Sequence, residues 1–475
     1  MKNIIKNFFY QSLFQVLKII MPIITIPIVS KALGPSGVGV YNYTNSVAQF
    51  FALFAGLGIT TYANREIAIA WGKKDNFSQV FWDIFSFKFL WALLVLIIYC
   101  IFSFFTEYKL LFFIQSLIVL SVLVDISWFF MGIEDFKKTS LVSFFVQFFV
   151  YIGIIFLVKS SSDLIVYTLL QCLGIFLSQA VVWSFIFKYV RLTNINFHSF
   201  LKHIKGSFQF FIPQVSIVLY NDLNKTLLGL FVSNAAVGYY ANSTQLNNVI
   251  ITFITTLDYV LLPHMTTLYA LKSEKKIVEM MEKTVHFQLF LSIPIMFGML
   301  TIYDKLVPWF FGNKFLFINN VIPYMTILIV IIPLGMSISR QFLMPVGKIG
   351  QYNRSVILGA VISILLNAIL LPTIGFFGVV IANITAEFFV TITRLLSFLK
   401  DTDFTFDLKK IFVYSFASVV MYIVTRELTD NLSSSIVTNL IQIVIAMTIY
   451  IVIVTLFKQN VILDILKKVL KKKRD

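Results

Sequence analysis

The sequence predicts an all-α polytopic membrane protein with about 14 transmembrane helices. Apolar residues make up 59% of the 475 residues and charged residues only 13%, and the mean hydropathy is +0.88. Soluble globular domains have about 45–50% apolar and about 25% charged residues. Here the apolar residues form runs of about 20, the length of helix that crosses a bilayer. Because these runs are continuous rather than alternating, they exclude a membrane β-barrel.

Apolar runs bounded by turn residues and charges mark the predicted helices. Their approximate bounds are 8–30, 39–62, 80–104, 110–131, 140–158, 164–187, 207–232, 239–268, 284–303, 321–340, 355–371, 377–399, 411–426 and 436–457. The first contains Gln15 and Lys18, and no small-residue cleavage site follows it, so we interpret it as a retained span rather than a signal peptide. Cys100 and Cys172 lie inside apolar runs, which predicts core residues rather than a disulfide or metal site.

The distribution of basic residues predicts that both termini are cytoplasmic. In that orientation 29 of the 38 Lys and Arg residues fall in cytoplasmic segments, six in external loops and three within spans. Short cytoplasmic loops are enriched in Lys and Arg, and the opposite orientation would invert this bias. The net charge of +16 is therefore mainly a topology signal. The tail KKVLKKKRD suits anionic lipid headgroups, whereas nucleic-acid binding is disfavoured because no aromatic-bearing soluble module accompanies the charge.

Two similar segments indicate an internal duplication. VGVYNYTNS (38–46) and VGYYANSTQ (237–245) share V-G-x-Y followed by small polar residues, and each opens the second helix of its half. An offset of six helices gives both copies the same orientation in the membrane. We predict a six-helix bundle at 1–200, its repeat at 201–402, and two extra helices with a basic cytoplasmic tail at 403–475. The alternative is that V-G-x-Y is only a helix-start glycine with an interfacial aromatic.

Polar side chains recur at helical spacing on the first two helices of each half. Stripes at equivalent positions favour a shared water-filled cavity, and the alternative is hydrogen bonding that only holds helices together. The predicted cavity residues are Gln15 and Lys18 in the first helix, Asn42 and Gln49 in the second, Gln214, Asn221, Asp222 and Lys225 in the seventh, and Gln245 and Asn248 in the eighth.

Lys18 and Lys225 are the strongest candidate ligand residues, because a charge inside the membrane is costly unless it faces a cavity or a partner. No acid accompanies Lys18 on its own helix, so it suits a phosphate group. Asp222 lies three residues before Lys225, close enough for a local ion pair that would be structural. The sequence leaves open whether the other intramembrane charges pair or reach the interface; these are Lys88, Asp125, Asp258 and Glu387.

The motifs that many enzymes need are missing from the sequence. It has no G-x-x-x-x-G-K-[ST], H-E-x-x-H or G-x-S-x-G motif. The longest predicted connectors have fewer than about 20 residues, too few for a soluble domain. We therefore predict no catalytic residue, no cofactor and no metal site. A membrane polysaccharide polymerase or ligase remains the alternative from a different functional class.

Three segments, in this order and spacing, resemble the Wzx-type polysaccharide repeat-unit flippases of the multidrug/oligosaccharidyl-lipid/polysaccharide exporter superfamily. They are PIITIPIVSKALGPSGVGVYNY, FFIPQVSIVLYNDLNKTLLGLFVSNAAVGYYANSTQ and LLNAILLPTIGFFGVVIANI, and the likeness runs from the first helix to the twelfth. It implies two six-helix bundles in a V, a cavity lined by helices 1, 2, 7 and 8, and two extra C-terminal helices. The ND-x-x-K of helix 7 matches the family's usual position for a D-x-x-K-like group.

The resemblance also implies a function. Undecaprenyl-pyrophosphate-linked oligosaccharides would pass from the inner to the outer leaflet of the bacterial cytoplasmic membrane by alternating access, for capsule or another surface polysaccharide. The implied protein is a monomer that works beside a polymerase and other assembly proteins. A lipid II flippase and a multidrug/cation antiporter of the same superfamily are alternatives, although an antiporter should prefer acidic cavity residues.

Roles follow for individual residues on this interpretation. Arg65, Arg340 and Arg354 would gather the pyrophosphate at the cytoplasmic entrance. Lys18 and Lys225 would hold it near the midplane, while the amide side chains would solvate the sugar. The candidates for coupling to Na⁺ or H⁺ are Asp222 and Glu387.

Overall fold

The computed structural model describes residues 2–73, 77–193, 200–461 and 463, and every regular element in this part of the chain is helical. The Cα positions group into two compact units, Met1–Ala241 and Asn242–Asp475. The first unit contains α1 (Lys2–Gly56), α2 (Ile59–Lys73), α3 (Phe77–Phe104), α4 (Lys109–Val124), α5 (Ser127–Gly132), α6 (Phe136–Leu157), α7 (Leu164–Ala180), α8 (Trp183–Ile186), α9 (Phe200–Phe231) and the start of α10 (Asn234–Ala270).

The second unit contains the remainder of α10 and seven further α-helices in its described part. These are α11 (Glu274–Phe310), α12 (Ile322–Met325), α13 (Leu328–Ile338), α14 (Ile349–Ile374), α15 (Phe376–Asp401), α16 (Leu408–Thr429) and α17 (Ile436–Leu456). A 3₁₀ segment, Asn313–Asn320, precedes α12, and a π-helical turn, Ser339–Leu343, follows α13. The predicted domain boundaries at 200 and 402 stay predictions.

Eleven helical stretches among the described residues are long and apolar enough to cross a membrane. Each predicted span outside α9 and α10, the two helices with polar stripes, lies wholly or partly in one of these stretches. The stretch Ile20–Gly72 includes residues 20–30 of the first predicted span and all of the second. Large apolar side chains on the outer faces of these helices are exposed, as lipid-facing positions require; examples are Leu94 and Ile98 on α3 and Val444 and Met447 on α17. The all-α polytopic membrane fold is confirmed, and the number fourteen stays a prediction.

The helices differ from the predicted bounds mainly at breaks inside apolar runs. The span predicted at 39–62 ends at Gly56, because Leu57 and Gly58 both have positive φ, 42° and 71°. A new helix, α2, then occupies residues that lie largely outside the predicted spans. The predicted span 110–131 breaks at Asp125, whose backbone is extended with ψ 121°. The predicted span 321–340 consists of α12, α13 and the π-helical turn.

The two V-G-x-Y motifs contact each other inside the first unit. α1 bends at Gly34, which has φ 66° and ψ 178°, and continues through the first motif. A Cβ on Gly39 would lie 1.6 Å from the carbonyl oxygen of Asn234, and one on Gly238 would lie 2.1 Å from that of Pro35. Only hydrogen fits at such distances. The glycines therefore allow two helix starts to cross at backbone contact.

Asp407 caps α16 at its N-terminus. Its carboxylate accepts a hydrogen bond from the backbone N–H of Lys410 at 3.1 Å and lies 3.3 Å from the Lys410 Nζ. Burial acts to raise the pKa of Asp407, but these hydrogen bonds and the charge of Lys410 outweigh burial and hold the pKa below its usual value. Ser435 caps α17 in the same way, accepting from the N–H of Thr438 at 3.1 Å, but it carries no charge.

We expect Asp407→Ala to lower the free energy of unfolding by about 1 kcal/mol at neutral pH. The carboxylate's contribution is present above its pKa in the unfolded chain and is lost as the pH falls through the lowered pKa of the folded state. Thermal unfolding of the purified protein at neutral and acidic pH measures this. Ser435→Ala is the matched control and should cost the same at both pH values. An Asp407→Ala effect that does not change with pH would contradict the assignment.

Candidate functional site

Asp222 and Lys225 form an ion pair on α9. The Lys225 Nζ lies 3.0 Å from Asp222 Oδ1, and the two side chains remain 24% and 18% exposed. The pair is therefore neither sealed in the core nor fully solvated. An ammonium group has three N–H donors, so Lys225 can keep Asp222 and still bind another acceptor. The structure confirms that the two residues pair, and contact between Lys225 and a ligand stays a prediction.

Helix α9 packs against the second half of α1 beside this ion pair. The hydroxyls of Ser46 and Thr226 lie 2.7 Å apart, one residue beyond Lys225. One turn further on, a Cβ on Gly229 would lie 2.2 Å from the Tyr43 ring, so the glycine admits the aromatic side chain. The second half of α1 and α9 therefore pack closely beside the Asp222–Lys225 ion pair.

A cavity of about 330 Å³ lies further along the same two helices. Its lining combines apolar residues with six polar side chains, which we call the polar cavity residues: Gln49, Thr60, Ser121, Asp125, Gln179 and Gln214. Two of the six, Gln49 and Gln214, were predicted as cavity residues from the sequence. Gln214 donates weakly to the Thr61 hydroxyl at 3.4 Å, and Gln49 donates to Asn45 at 3.3 Å. Such long hydrogen bonds are easily exchanged for those of a bound hydroxyl group.

Asp125 connects this cavity to a buried lysine. The Lys88 side chain is fully buried, and its Nζ lies 3.3 Å from Asp125 Oδ2 while also donating to the Asp125 carbonyl oxygen. The other carboxylate oxygen accepts from the N–H of Ser127 at 2.8 Å, and the Trp128 indole donates to the same carbonyl at 3.0 Å. The break between α4 and α5 thus exposes a carbonyl and a carboxylate to one ammonium group. A buried charge needs this degree of pairing.

The remaining predicted site residues are scattered. Asn42 donates to the Val38 carbonyl of its own helix at 2.9 Å, which is a local structural contact. Gln245 and Asn248 are exposed on the part of α10 in the second unit, and Arg65 and Arg354 are exposed in their respective units. Arg340 and Glu387 are half-buried in the second unit. The side chains of Gln15, Lys18 and Asn221 lie outside the described residues.

Residues 4–269 match the protein family described as "Polysaccharide biosynthesis protein". The chain belongs to this family. The match covers more than half of the chain and confirms the resemblance drawn from the three sequence segments.

Two curated relatives carry the name "Putative O-antigen transporter". The one from Shigella dysenteriae is 21% identical over 383 residues, which cover 79% of this chain and 95% of that protein. The one from Escherichia coli (strain K12) is 20% identical over 287 residues, which cover 58% of this chain and 67% of that protein.

Solved structures show the same fold. "Lipid II flippase MurJ, inward closed conformation" superposes with a TM-score of 0.79 at 17% identity, covering 95% of this chain and 99% of that one. An inward-facing multidrug resistance MATE family transporter of the MOP superfamily gives a TM-score of 0.60 at 15% identity, covering 83% and 96%. At these identities the likeness concerns the fold alone. The protein is a multi-pass membrane protein of its family, and the comparisons favour transport over enzymatic catalysis.

Proposed function

We propose that the protein moves undecaprenyl-pyrophosphate-linked oligosaccharide repeat units from the inner to the outer leaflet of the bacterial cytoplasmic membrane by alternating access. The family match over residues 4–269 is the observation that carries this proposal. The substrate would supply a surface polysaccharide such as capsule or O-antigen. Its sugars cannot enter hydrocarbon without hydrogen-bond partners, so they need a polar path through the bilayer. The polar cavity residues offer hydroxyl, amide and carboxylate groups of the kind that sugars bind.

Lys225 and Lys18 are proposed to bind the pyrophosphate near the midplane. Asp222 takes one of the three N–H donors of Lys225, which leaves two for phosphate oxygens. Part of the Lys225 side chain is open to a ligand, because 24% of it is exposed. Hydrogen bonds between an ammonium group and a phosphate are charge-assisted and about twice as strong as neutral ones. The headgroup could therefore compete with Asp222 for the lysine.

The other proposed roles concern the cytoplasmic entrance and coupling. Arg65, Arg340 and Arg354 would attract the pyrophosphate before it enters, because arginine binds phosphate with two parallel hydrogen bonds. Asp222 would take up Na⁺ or H⁺ when the headgroup withdraws Lys225 from it. Glu387 is the second candidate for ion coupling.

Deleting the gene tests the function directly. We expect lipid-linked repeat units to accumulate on the cytoplasmic leaflet and surface polysaccharide to disappear. Leaflet location is measured by the access of an external sugar-modifying enzyme to intact cells and to opened vesicles. Accumulation of lipid II instead would identify a lipid II flippase. Repeat units that reach the outer leaflet but remain unpolymerised would identify a polymerase and contradict the proposal.

We expect Lys225→Gln to reduce repeat-unit transport about tenfold or more, because a hydrogen bond to a charged group contributes about 1.5–3 kcal/mol. Transport is measured as surface polysaccharide in the deletion strain, normalised to the amount of protein in the membrane. Lys410→Gln is the matched control, because Lys410 pairs with Asp407 at the same three-residue spacing at the start of α16. It should leave transport within about twofold of the native level.

A double variant separates the two roles of Lys225. If the ion pair is only structural, so that Lys225 neutralises Asp222 and Asp222 has no coupling role, then Asp222→Asn combined with Lys225→Gln should restore transport, since neither charge remains. If the lysine binds the pyrophosphate, the double variant should stay as defective as Lys225→Gln. Restored transport would therefore overturn the headgroup assignment without affecting the proposed function.

A further inference from the structure

The polar cavity residues all belong to the first unit and come from five helices or their ends, namely α1, α2, α4, α7 and α9. Three of the six side chains are amides, two are hydroxyls and one is a carboxylate. No lysine, arginine or histidine is present among the described residues that line the cavity. A ligand there meets groups that form hydrogen bonds, and the one charged side chain among them, Asp125, is acidic.

The counter-charge of Asp125 is out of reach of a ligand in the cavity. Lys88 is fully buried and does not line the cavity, and its Nζ lies 3.3 Å from Asp125 Oδ2. Asp125 Oδ1 accepts from the N–H of Ser127 at 2.8 Å. A carboxylate has about four acceptor positions, so about two remain for a ligand. The part of the Asp125 side chain that is exposed therefore presents a hydrogen-bond acceptor to the cavity.

This set of groups matches an uncharged sugar better than an acidic one. A sugar hydroxyl both donates and accepts, so it donates to Asp125 while accepting from an amide N–H. The carboxylate of a uronic acid only accepts. In this cavity it would lie near another carboxylate, and no described lining residue would supply the cation that a desolvated charge needs. The lining therefore favours hydroxyl groups and disfavours a second negative charge.

The cavity and the proposed headgroup residue Lys225 lie along the same helix. Gln214 and Lys225 are eleven residues apart on α9, close to three helical turns, so they share one face about 16 Å apart. On α1, Gln49 lies about one turn beyond Ser46, whose hydroxyl contacts Thr226, the residue after Lys225. A ligand whose pyrophosphate binds Lys225 can therefore extend its sugars among the polar cavity residues.

We propose that the cavity binds an uncharged part of the oligosaccharide and selects against an acidic sugar such as a uronic acid. Asp125 accepts hydrogen bonds from sugar hydroxyls and repels a sugar carboxylate. The amides of Gln49, Gln179 and Gln214 supply the complementary donors and acceptors, which makes these three the specificity-determining residues. This inference rests on the proposed function, because it concerns the sugars of that substrate.

Two synthetic probes that differ at one carbon test this selection. Both are undecaprenyl-pyrophosphate-linked disaccharides, one ending in glucose and the other in glucuronate, in which a carboxylate replaces the C6 hydroxymethyl group. Binding to the purified full-length protein in lipid nanodiscs is measured by native mass spectrometry. We expect the glucose probe to bind about tenfold more tightly, because the glucuronate must be desolvated without a counter-charge. Equal binding, or tighter binding of the glucuronate probe, would overturn the inference.

Gln179→Lys tests whether the cavity makes the selection. The added ammonium group supplies a cation, so it should bring the two affinities within about twofold or reverse their order. Gln214→Lys serves in its place if that variant does not fold. Gln171→Lys is the matched control, because Gln171 is a half-buried residue of the same helix that donates to the Tyr167 hydroxyl at 3.2 Å and does not line the cavity. The control should keep the native preference, and an unchanged preference in Gln179→Lys would overturn the assignment.

Failure of the inference and failure of the proposed function give different results. Equal binding of the two probes would refute the selection and leave the proposed function intact. If neither probe binds the native protein, the proposed substrate is wrong and the inference fails with it. Lys225→Gln should weaken both probes by the same factor and keep their ratio, because the pyrophosphate is common to them. An unweakened Lys225→Gln with the native ratio would refute the headgroup assignment alone.

Discussion

Gly39→Ala and Gly238→Ala are each expected to abolish surface polysaccharide export. These two substitutions should also destabilise the first unit more than alanine at any of its other glycines. The added Cβ would lie 1.6 Å from the Asn234 carbonyl oxygen in the first variant and 2.1 Å from that of Pro35 in the second. Backbone atoms cannot rotate away as a side chain can, so the helix starts must separate. Overpacking of this kind costs about 1–3 kcal/mol or more.

Thermal unfolding of the purified protein, with export in a deletion strain, measures the effect. Gly298→Ala is the matched control, because it also lies within a long helix and its Cβ would meet nothing within 4 Å. This control should be neutral or slightly stabilising, since alanine is favoured over glycine inside a helix. If Gly39→Ala unfolded and exported like Gly298→Ala, the crossing would not be required.

Asp125→Asn is expected to lower the free energy of unfolding by about 3–5 kcal/mol, because it leaves the buried Lys88 charge without its carboxylate. Asparagine keeps the shape of the side chain and an oxygen that can accept from the N–H of Ser127. The variant therefore tests the charge rather than the packing. Thermal unfolding of the purified protein and its amount in the membrane measure the loss.

Substitutions of Lys88 and of Asp125 should lower the free energy of unfolding by different amounts. Lys88→Met leaves Asp125 at the edge of the polar cavity, where 12% of its side chain is exposed, so it should cost less than Asp125→Asn. The double variant should recover much of the loss, because replacing a whole buried ion pair by neutral groups is often close to neutral. Additive losses in the double variant would contradict the pairing of the two charges.

The membrane fold could be predicted because a span in lipid must be a long apolar helix that satisfies its own backbone hydrogen bonds. The hydropathy of the sequence shows such apolar stretches directly. The breaks at Leu57 and Asp125 could not be predicted. A leucine has no intrinsic preference for positive φ, so neighbouring elements must hold Leu57 there. Asp125 leaves the helix to bring its carbonyl oxygen to Lys88, a residue 37 positions away. Neither the neighbouring elements that hold Leu57 nor the distant partner of Asp125 can be recognised from a local sequence pattern.

The candidate site could be predicted only in part for a similar reason. Periodicity identified the helix faces that carry Gln49 and Gln214, and these two side chains line one cavity. It could not show that Gln179 and Ser121 face the same space, because isolated polar residues in apolar helices give no stripe. Lys88 and Asp125 were both recognised as costly charges, but their pairing depends on which faces of two neighbouring helices meet. For the same reason, the sequence could not show whether Asp258 pairs inside the protein or reaches the membrane interface.

The contact between the two V-G-x-Y motifs has a consequence for the ancestry of the chain. After a duplication, each copy is ordinarily free to drift, because the other copy retains the original property. Gly39 and Gly238 are exceptions, because each fits against backbone at the start of the other's helix. Selection acts on them jointly, and neither copy can relieve the other. In a chain that arose by duplication, the motif would then persist in both halves while the sequence around it diverged.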